Sequence, residues 1–259
     1  MVITGNYRAC HVHGRAFGST EALLITDPES FAVLTVELHA HSERSYDGRD
    51  PVELLLKQAA AVGLDAIAVT DHDAFDASER AAELAPEFDL IGIPGMEVTS
   101  AAGHVLALGI DRKISANQSF EDTIEAIHDA GGIAVVPHPF QKSRSGVAAE
   151  ITRATLAAAD AIEVYNSRLL TGRANRKART YAETRDLPQT AGSDAHIAEL
   201  VGQAITAVDA ESETAADIVA GIRDGHTSVE GQRTPWHISF RQAAGGAKRR
   251  LKNRLAGYF

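Results

Sequence analysis

An α/β fold on a largely parallel sheet, open or closed, is what this sequence predicts, and three observations predict it. Short apolar runs alternate with amphipathic stretches along most of the chain, the pattern of repeated strand–helix units. The 259 residues suit one large α/β domain. His, Asp and Glu recur at the C-terminal ends of the predicted strands, where α/β barrels and sheets place their sites.

The elements follow in order. Phe31 to Leu38 reads as a buried strand running into His39. Asp50 as N-cap and Pro51 at the first helical position begin a helix to Val62, which Gly63 closes. Asp65 to Thr70 is a strand delivering Asp71-His72-Asp73, and Ala74 to Ala85 a helix. Leu90 to Val98 reads as one strand delivering Glu97, and Val105 to Ile110 as another with His104 at its start. Ser119 caps a helix to Ala130, ended by Gly131-Gly132. Ile133 to Val136 leads to Pro137-His138-Pro139, and the Ala-rich stretch Ala148 to Ala159 reads as helix. The strand Ala161 to Tyr165, the basic helix Gly172 to Arg185 and the strand Gln189 to Ala191 lead to Asp194-Ala195-His196. Ala204 to Val208 is a strand and Ala215 to Asp224 a helix. The predicted organisation is an N-terminal extension (1–30), hairpin or disordered, a main α/β domain of barrel type (31–235) and a basic C-terminal helix or tail (236–259).

Composition narrows the function. Hydrophobic residues make up 44% and charged residues 23%, ordinary for a globular chain. A net charge of −10 argues against broad electrostatic capture of a nucleic-acid duplex. The single Cys10 excludes an intrachain disulfide and thiolate zinc sites. No run reaches about 18 apolar residues, and the start lacks the pattern of a secretory signal; a cytoplasmic, non-membrane protein is expected. Eleven His stand out beside eight Phe, five Tyr and one Trp.

His39-Ala40-His41 puts two imidazoles on one side of an extended chain, because strand side chains repeat every second residue. Two imidazoles aimed at one point suit a transition ion. His11-Val12-His13 follows no convincing strand and is read as incidental. Asp47 precedes Gly48 and alone would be a turn aspartate. Glu97 has two oxygens and can bridge two ions. With His72, His104, His138, Asp194 and His196, nearly every strand delivers a metal-ligand type. Burying so many ionisable groups together without metal would be costly, so a polynuclear metal site is expected. His128, His226 and His237 end no strand of the series and receive no metal role.

These residues resemble the polymerase and histidinol phosphatase (PHP) family. The resemblance rests on His39-Ala40-His41, Thr70-Asp71-His72-Asp73, Gly95-Met96-Glu97, His138-Pro139 and Asp194-Ala195-His196, in that order, and spans about residues 33 to 230. It implies a distorted (β/α)7, TIM-like barrel with its metal site at the C-terminal strand ends. It also implies three metal positions: His39, His41, Glu97 and Asp194; shared Glu97 with His104 and His138; and Asp47, His72 and His196. Some members carry His where this chain has Asp47, and the extra carboxylate tilts the choice among Mn²⁺, Fe²⁺ and Zn²⁺ toward manganese or iron.

Two or three clustered divalent ions suit phosphoester hydrolysis, with metal-activated hydroxide as nucleophile. The expected catalytic residues are Glu97, Asp194, His72 and Asp71, with Asp71 and Asp73 orienting His72 or water. Arg144, Arg168 and Lys142, in loops after strands, are candidate phosphate contacts; the alternative for each is an ordinary surface cation. The expected substrate is a nucleotide or short oligonucleotide, such as a nucleoside 3′,5′-bisphosphate or a 5′ end. The resemblance disfavours histidinol phosphate, because the seven-residue spacing from Glu97 to His104 looks unlike that branch of the family. The alternatives are an amidohydrolase-like C–N hydrolase, against which the absence of a strand-end Lys speaks, and a non-catalytic PHP scaffold. Nothing in the sequence specifies an oligomeric state.

Overall fold

The computed structural model describes residues 32–169 and 172–231, all within one compact unit. The extension 1–30, the tail 236–259 and the features on them (Cys10, His11, His13, His237 and the cations from Arg241 to Arg254) lie outside the described residues. In chain order the elements are β1 (Ala32–Ala40), α1 (Val52–Ala61), β2 (Ala66–Val69), α2 (Asp76–Leu84), β3 (Ile91–Ile93), β4 (Gly95–Ser100), β5 (Gly103–Leu108), α3 (Phe120–Asp129), β6 (Ile133–Val136), α4 (Arg153–Leu156), β7 (Ala161–Asn166), α5 (Arg173–Glu183), β8 (Gln189–Gly192), β9 (Ala204–Ala210), α6 (Ala215–Arg223) and β10 (Thr227–Gly231). No helix among the described residues is long and apolar enough to cross a membrane.

The strands form two open five-stranded sheets, ordered β10-β9-β1-β2-β3 and β4-β5-β6-β7-β8. The β1-β2-β3 and β6-β7-β8 pairings are parallel, as expected. The β9 pairings and the β4-β5-β6 run are antiparallel, which corrects the expectation of one largely parallel sheet. The link between β4 and β5 is Ala101-Ala102, far too short for the crossover a parallel pair requires.

Three local expectations are also corrected. Leu90 to Val98 is not one strand: Pro94 lacks an N–H for the ladder, and the chain passes there from β3 in the first sheet to β4 in the second. The helix expected from Ala148 to Ala159 shrinks to α4, because the Thr152 side chain accepts from the Thr155 N–H and caps a fresh start. Asp50 does not cap α1; its carboxylate accepts from the Ala198 N–H at 2.7 Å. Ser119, by contrast, caps α3 through the Asp122 N–H, as expected.

The core explains why the strands read as continuous apolar runs. A cluster including Leu34, Val36 and Leu38 of β1, Leu106 and Leu108 of β5, and Ile133 and Val135 of β6 joins residues of both sheets. Leu55 and Leu56 of α1 pack with Ile67 and Val69 of β2. Ile127 of α3 and Tyr181 of α5 pack with Val136 and Val164 of the second sheet. Strands covered on both faces have no solvent side to make polar. Each fully buried Leu or Ile contributes about 1.5–3 kcal/mol.

One buried carboxylate ties β1 to the connections around β8. Glu37 Oε1 accepts from the His39 and Ser193 N–H groups and Oε2 from that of Gly202, each at 3.0 Å. Burial pushes the Glu37 carboxyl upward, and these bonds pull against that rise. Two isolated parallel bridges, Ala40 to Ala195 and His72 to Glu97, then bring the C-terminal ends of β1 and β2 against the second sheet. That junction positions the site.

Candidate metal centre

All nine residues expected as ligands converge. β1 carries His39 and leads to His41; His72 follows β2; Glu97 lies in β4; His104 opens β5; His138 follows β6; Asp194 and His196 follow β8. Glu97 is the centre. Its Oε2 lies 3.3 Å from His39 Nε2, His41 Nε2 and His72 Nδ1. Its Oε1 lies 2.8 Å from His104 Nδ1 and 3.6 Å from His138 Nε2. Asp47, from the loop after β1, places Oδ2 2.7 Å from His196 Nε2 and Oδ1 3.8 Å from His72 Nε2. Asp194 Oδ1 lies 3.8 Å from His41 Nε2 and 3.3 Å from His196 Nδ1. Asp47 and His104, supported in the sequence mainly by spacing, thus sit among the others. His138 and Asp194 hold φ values of 34° and 51°, a left-handed conformation that non-glycine residues adopt at a cost and that recurs at functional sites.

A surrounding layer holds these side chains. Glu163, in β7, accepts from His39 Nδ1 through Oε1 at 2.9 Å and from the His138 N–H through Oε2 at 2.8 Å. Asn166 Nδ2 donates to Glu163 Oε2 at 3.0 Å and to Asp194 Oδ2 at 3.4 Å. Sequence reasoning missed both residues. The available signal was a carboxylate inside the apolar run Ala161-Ile162-Glu163-Val164, which a buried strand tolerates only when the group is satisfied. Gly192 is obligatory beside them, because a Cβ there would lie 2.4 Å from His39 Cβ and 2.5 Å from Glu163 Oε1. Asp71 turns to Ser42, accepting from its N–H at 2.6 Å and its hydroxyl at 2.5 Å. Asp73 accepts from the Thr99 N–H. Both aspartates therefore brace backbone. Tyr46 stacks on the His72 ring, centroids 4.7 Å apart. The Glu163→Gln variant is expected to lose about 10–100-fold in metal affinity, read by competition with a chelating dye; unchanged affinity would show that Glu163 does not position His39.

The two arginine candidates reach the cluster. Arg144 Nη1 lies 3.3 Å from Asp194 Oδ2. Arg168 Nη1 lies 2.9 Å from Asp194 Oδ1 and 2.8 Å from His196 Nε2. Lys142 is exposed in a short 3₁₀ turn and is not brought to the cluster. His128 is half-exposed and pairs with Asp160 at 2.7 Å, away from it.

The PHP domain family matches residues 37–186, a span that carries seven of the nine converging residues. The chain belongs to the PHP domain family. A PHP-associated region matches residues 172–227, which adds Asp194 and His196. An uncharacterized protein of Methanocaldococcus jannaschii is 30% identical over 175 residues, covering 66% of this chain and 69% of that protein. Among solved structures, a two-domain protein from Bacteroides vulgatus, described as containing a PHP-like metal-dependent phosphoesterase, superimposes with a TM-score of 0.68 at 19% identity, over 84% of this chain and 70% of that one. Endonuclease Q bound to a 27-mer duplex with an abasic lesion superimposes with a TM-score of 0.59 at 14% identity, over 78% of this chain and 60% of that one. At these identities the two structures show that the PHP fold is shared.

The electrostatics of this PHP centre suit divalent ions. Burial pulls the His72 imidazole down to about 4, against the opposing pull of Glu97. Burial likewise lowers His41 and His196, helped by His196 and Arg168 respectively. Burial opposes ionisation of Glu97 and Asp194, but it is outweighed by His72, His104 and His39 around the first and by Arg168 and Arg144 beside the second; both carboxyls are held well below their usual range. Burial lowers His39 and His104 too, but Glu97 outweighs it at both, joined by Glu163 at the first, and these two rings are raised. The neutral imidazoles of His41, His72 and His196 and the two ionised carboxylates are already in their ligand forms. His41 Nε2, His72 Nδ1 and His138 Nδ1 are buried without a hydrogen-bond partner, and an unpaired buried polar atom costs about 1–3 kcal/mol. Four overlapping triads, His39–His41–Asp194, His39–Glu97–His138, His72–Glu97–His104 and His41–His72–His196, bring ligand atoms within 4.8 Å of one another. The residues fit divalent metal.

The sign of the His72 shift is testable. An unfolded His titrates near about 6.5, so between there and about 4 the unfolded chain binds the extra proton. The His72 contribution to stability is therefore intact above pH 6.5 and declines as pH falls toward 4. In chelated protein, NMR titration should find the His72 ring neutral at pH 5.5; protonation complete by then would mean the ring is not desolvated.

Proposed function

We propose that this chain hydrolyses phosphomonoester or phosphodiester bonds of nucleotides or short oligonucleotides. The observation that carries the reading is the placement of Arg144 and Arg168 on opposite oxygens of Asp194, at the edge of nine converging ligand-type side chains. Guanidinium groups match phosphate oxygens in charge and in the geometry of their donors. Endonuclease Q, which shares the fold, was solved on a duplex with an abasic lesion, which agrees with a phosphodiester substrate. We read the two sheets as parts of a distorted seven-stranded barrel formed by β1, β2, β4, β5, β6, β7 and β8. The two isolated bridges, β1 toward β8 and β2 toward β4, support that ring.

His39, His41, Glu97 and Asp194 would hold one divalent ion, Glu97 with His104 and His138 a second, and Asp47, His72 and His196 a third. Bound ions would supply polarisation of phosphoryl oxygens and a lowered pKa for water. Arg144 and Arg168 bind the phosphate and neutralise its charge. Glu97, able to face two positions at once, holds the ligand groups in register. Asp71, through Ser42, fixes the loop that carries Asp47. Tyr46 and Glu163 keep the His72 and His39 rings in orientation.

A substrate panel tests the proposal. Manganese-loaded protein should release phosphate from a nucleoside 3′,5′-bisphosphate or nucleotide from a 5′-phosphorylated oligonucleotide, with two or three ions per chain by elemental analysis. Activity confined to amide substrates would overturn it, as would at most one ion bound after loading.

A further inference from the structure

We propose that the outer face of α5 is a track for the phosphate backbone of a single-stranded oligonucleotide whose end enters the metal centre. The inference rests on the phosphoesterase reading and names its substrate class. The chain carries 35 acidic against 25 basic residues, yet between Glu163 and Glu183 there is no acid and there are five cations: Arg168, Arg173, Arg176, Lys177 and Arg179. On α5, Ala174, Ala178, Tyr181 and Ala182 form the buried side, and the four helix cations are exposed. No ion pair among the described residues neutralises them.

The strip is fastened to the site. Asn175, in the first turn of α5, donates from Nδ2 to the Asn166 carbonyl at 3.0 Å and accepts from the Asn166 N–H at 3.3 Å. The same Asn166 donates to Asp194, the carboxylate that Arg144 and Arg168 contact. Helical spacing sets Arg179 on the row of Asn175 and Lys177 on that of Arg173, with Arg176 between. The cations thus continue from the arginines at the centre along a helix about 16 Å long. Asp194 and His196 are 3% and 2% exposed, so the end of a thin strand fits the entrance better than a continuous duplex.

The test measures fluorescence anisotropy of a short 5′-phosphorylated single strand on the full chain across about 50–200 mM salt. Each single-strand phosphate contact contributes about 0.7 to the slope of log affinity against log salt. The triple variant Arg173→Gln, Arg176→Gln, Lys177→Gln should therefore flatten the slope by about 2 and weaken binding about tenfold or more at low salt. Its circular dichroism and its turnover of bis(p-nitrophenyl) phosphate, too small to reach α5, should match wild type. Unchanged slope and affinity in the variant overturn the proposal. So does a wild-type chain that binds anionic phospholipid vesicles but not the single strand. Failure of wild type on every phosphoester would instead overturn the hydrolase reading, and the anisotropy would still report on the strip.

Discussion

Glu97→Gln should lower turnover about 10³-fold, equivalent to about 4 kcal/mol, and remove at least one ion per chain. The reason is the position of the carboxylate. Its two oxygens face five imidazoles, three within 3.3 Å of Oε2 and two within 3.6 Å of Oε1. Gln keeps the shape but replaces one oxygen by an NH₂ that has no lone pair to offer a cation. It also removes the anion that the surrounding imidazoles hold ionised against its burial. Elemental analysis and steady-state kinetics check the outcome together. A variant with wild-type metal content and wild-type turnover would exclude a shared ligand role. Retained metal with lost turnover would place Glu97 in chemistry alone.

Chelation is expected to lower the melting temperature by about 10 °C. An ion that binds only the folded chain stabilises it by about 4 kcal/mol at a thousandfold excess over its dissociation constant. For a chain of this size each kcal/mol shifts the midpoint by about 2–4 °C. The physical origin is the set of buried ligand-type atoms left without partners, His41 Nε2, His72 Nδ1 and His138 Nδ1. Unfolding returns them to water, and bound ions remove that incentive. Calorimetry with and without chelator, followed by manganese titration, reads the effect. A midpoint that stays fixed while elemental analysis shows the metal gone would mean that the folded chain tolerates the bare cluster, and the centre would then contribute nothing to stability.

Much of the site was legible because strand periodicity and motif order are local. His39 and His41 share a side because they are two residues apart, and their rings lie 5.1 Å between centroids. The Ser119 cap was legible because capping involves only the next three residues. The misreadings came from competition at longer range. Asp50 had two possible uses and took the more distant one, the Ala198 N–H. Pro94 marked an interruption, but a change of sheet cannot be distinguished from a bend without knowing the partners. Glu163 and Glu37 were invisible as site supports because their value depends on N–H groups and rings far away in sequence.

The sequence by itself determined the α/β class, the nine ligand-type residues and the order in which strands deliver them, since these follow from hydrophobic pattern and motif order along one chain. Only the tertiary structure decided that the strands divide into two sheets with antiparallel runs. It also decided that Glu97 is the hub, that Arg144 and Arg168 meet Asp194 while Lys142 does not, and that Asn175 moors a basic helix to the centre. Those outcomes are set by which strand ends are brought within hydrogen-bond reach, a matter of packing between segments as much as 165 residues apart.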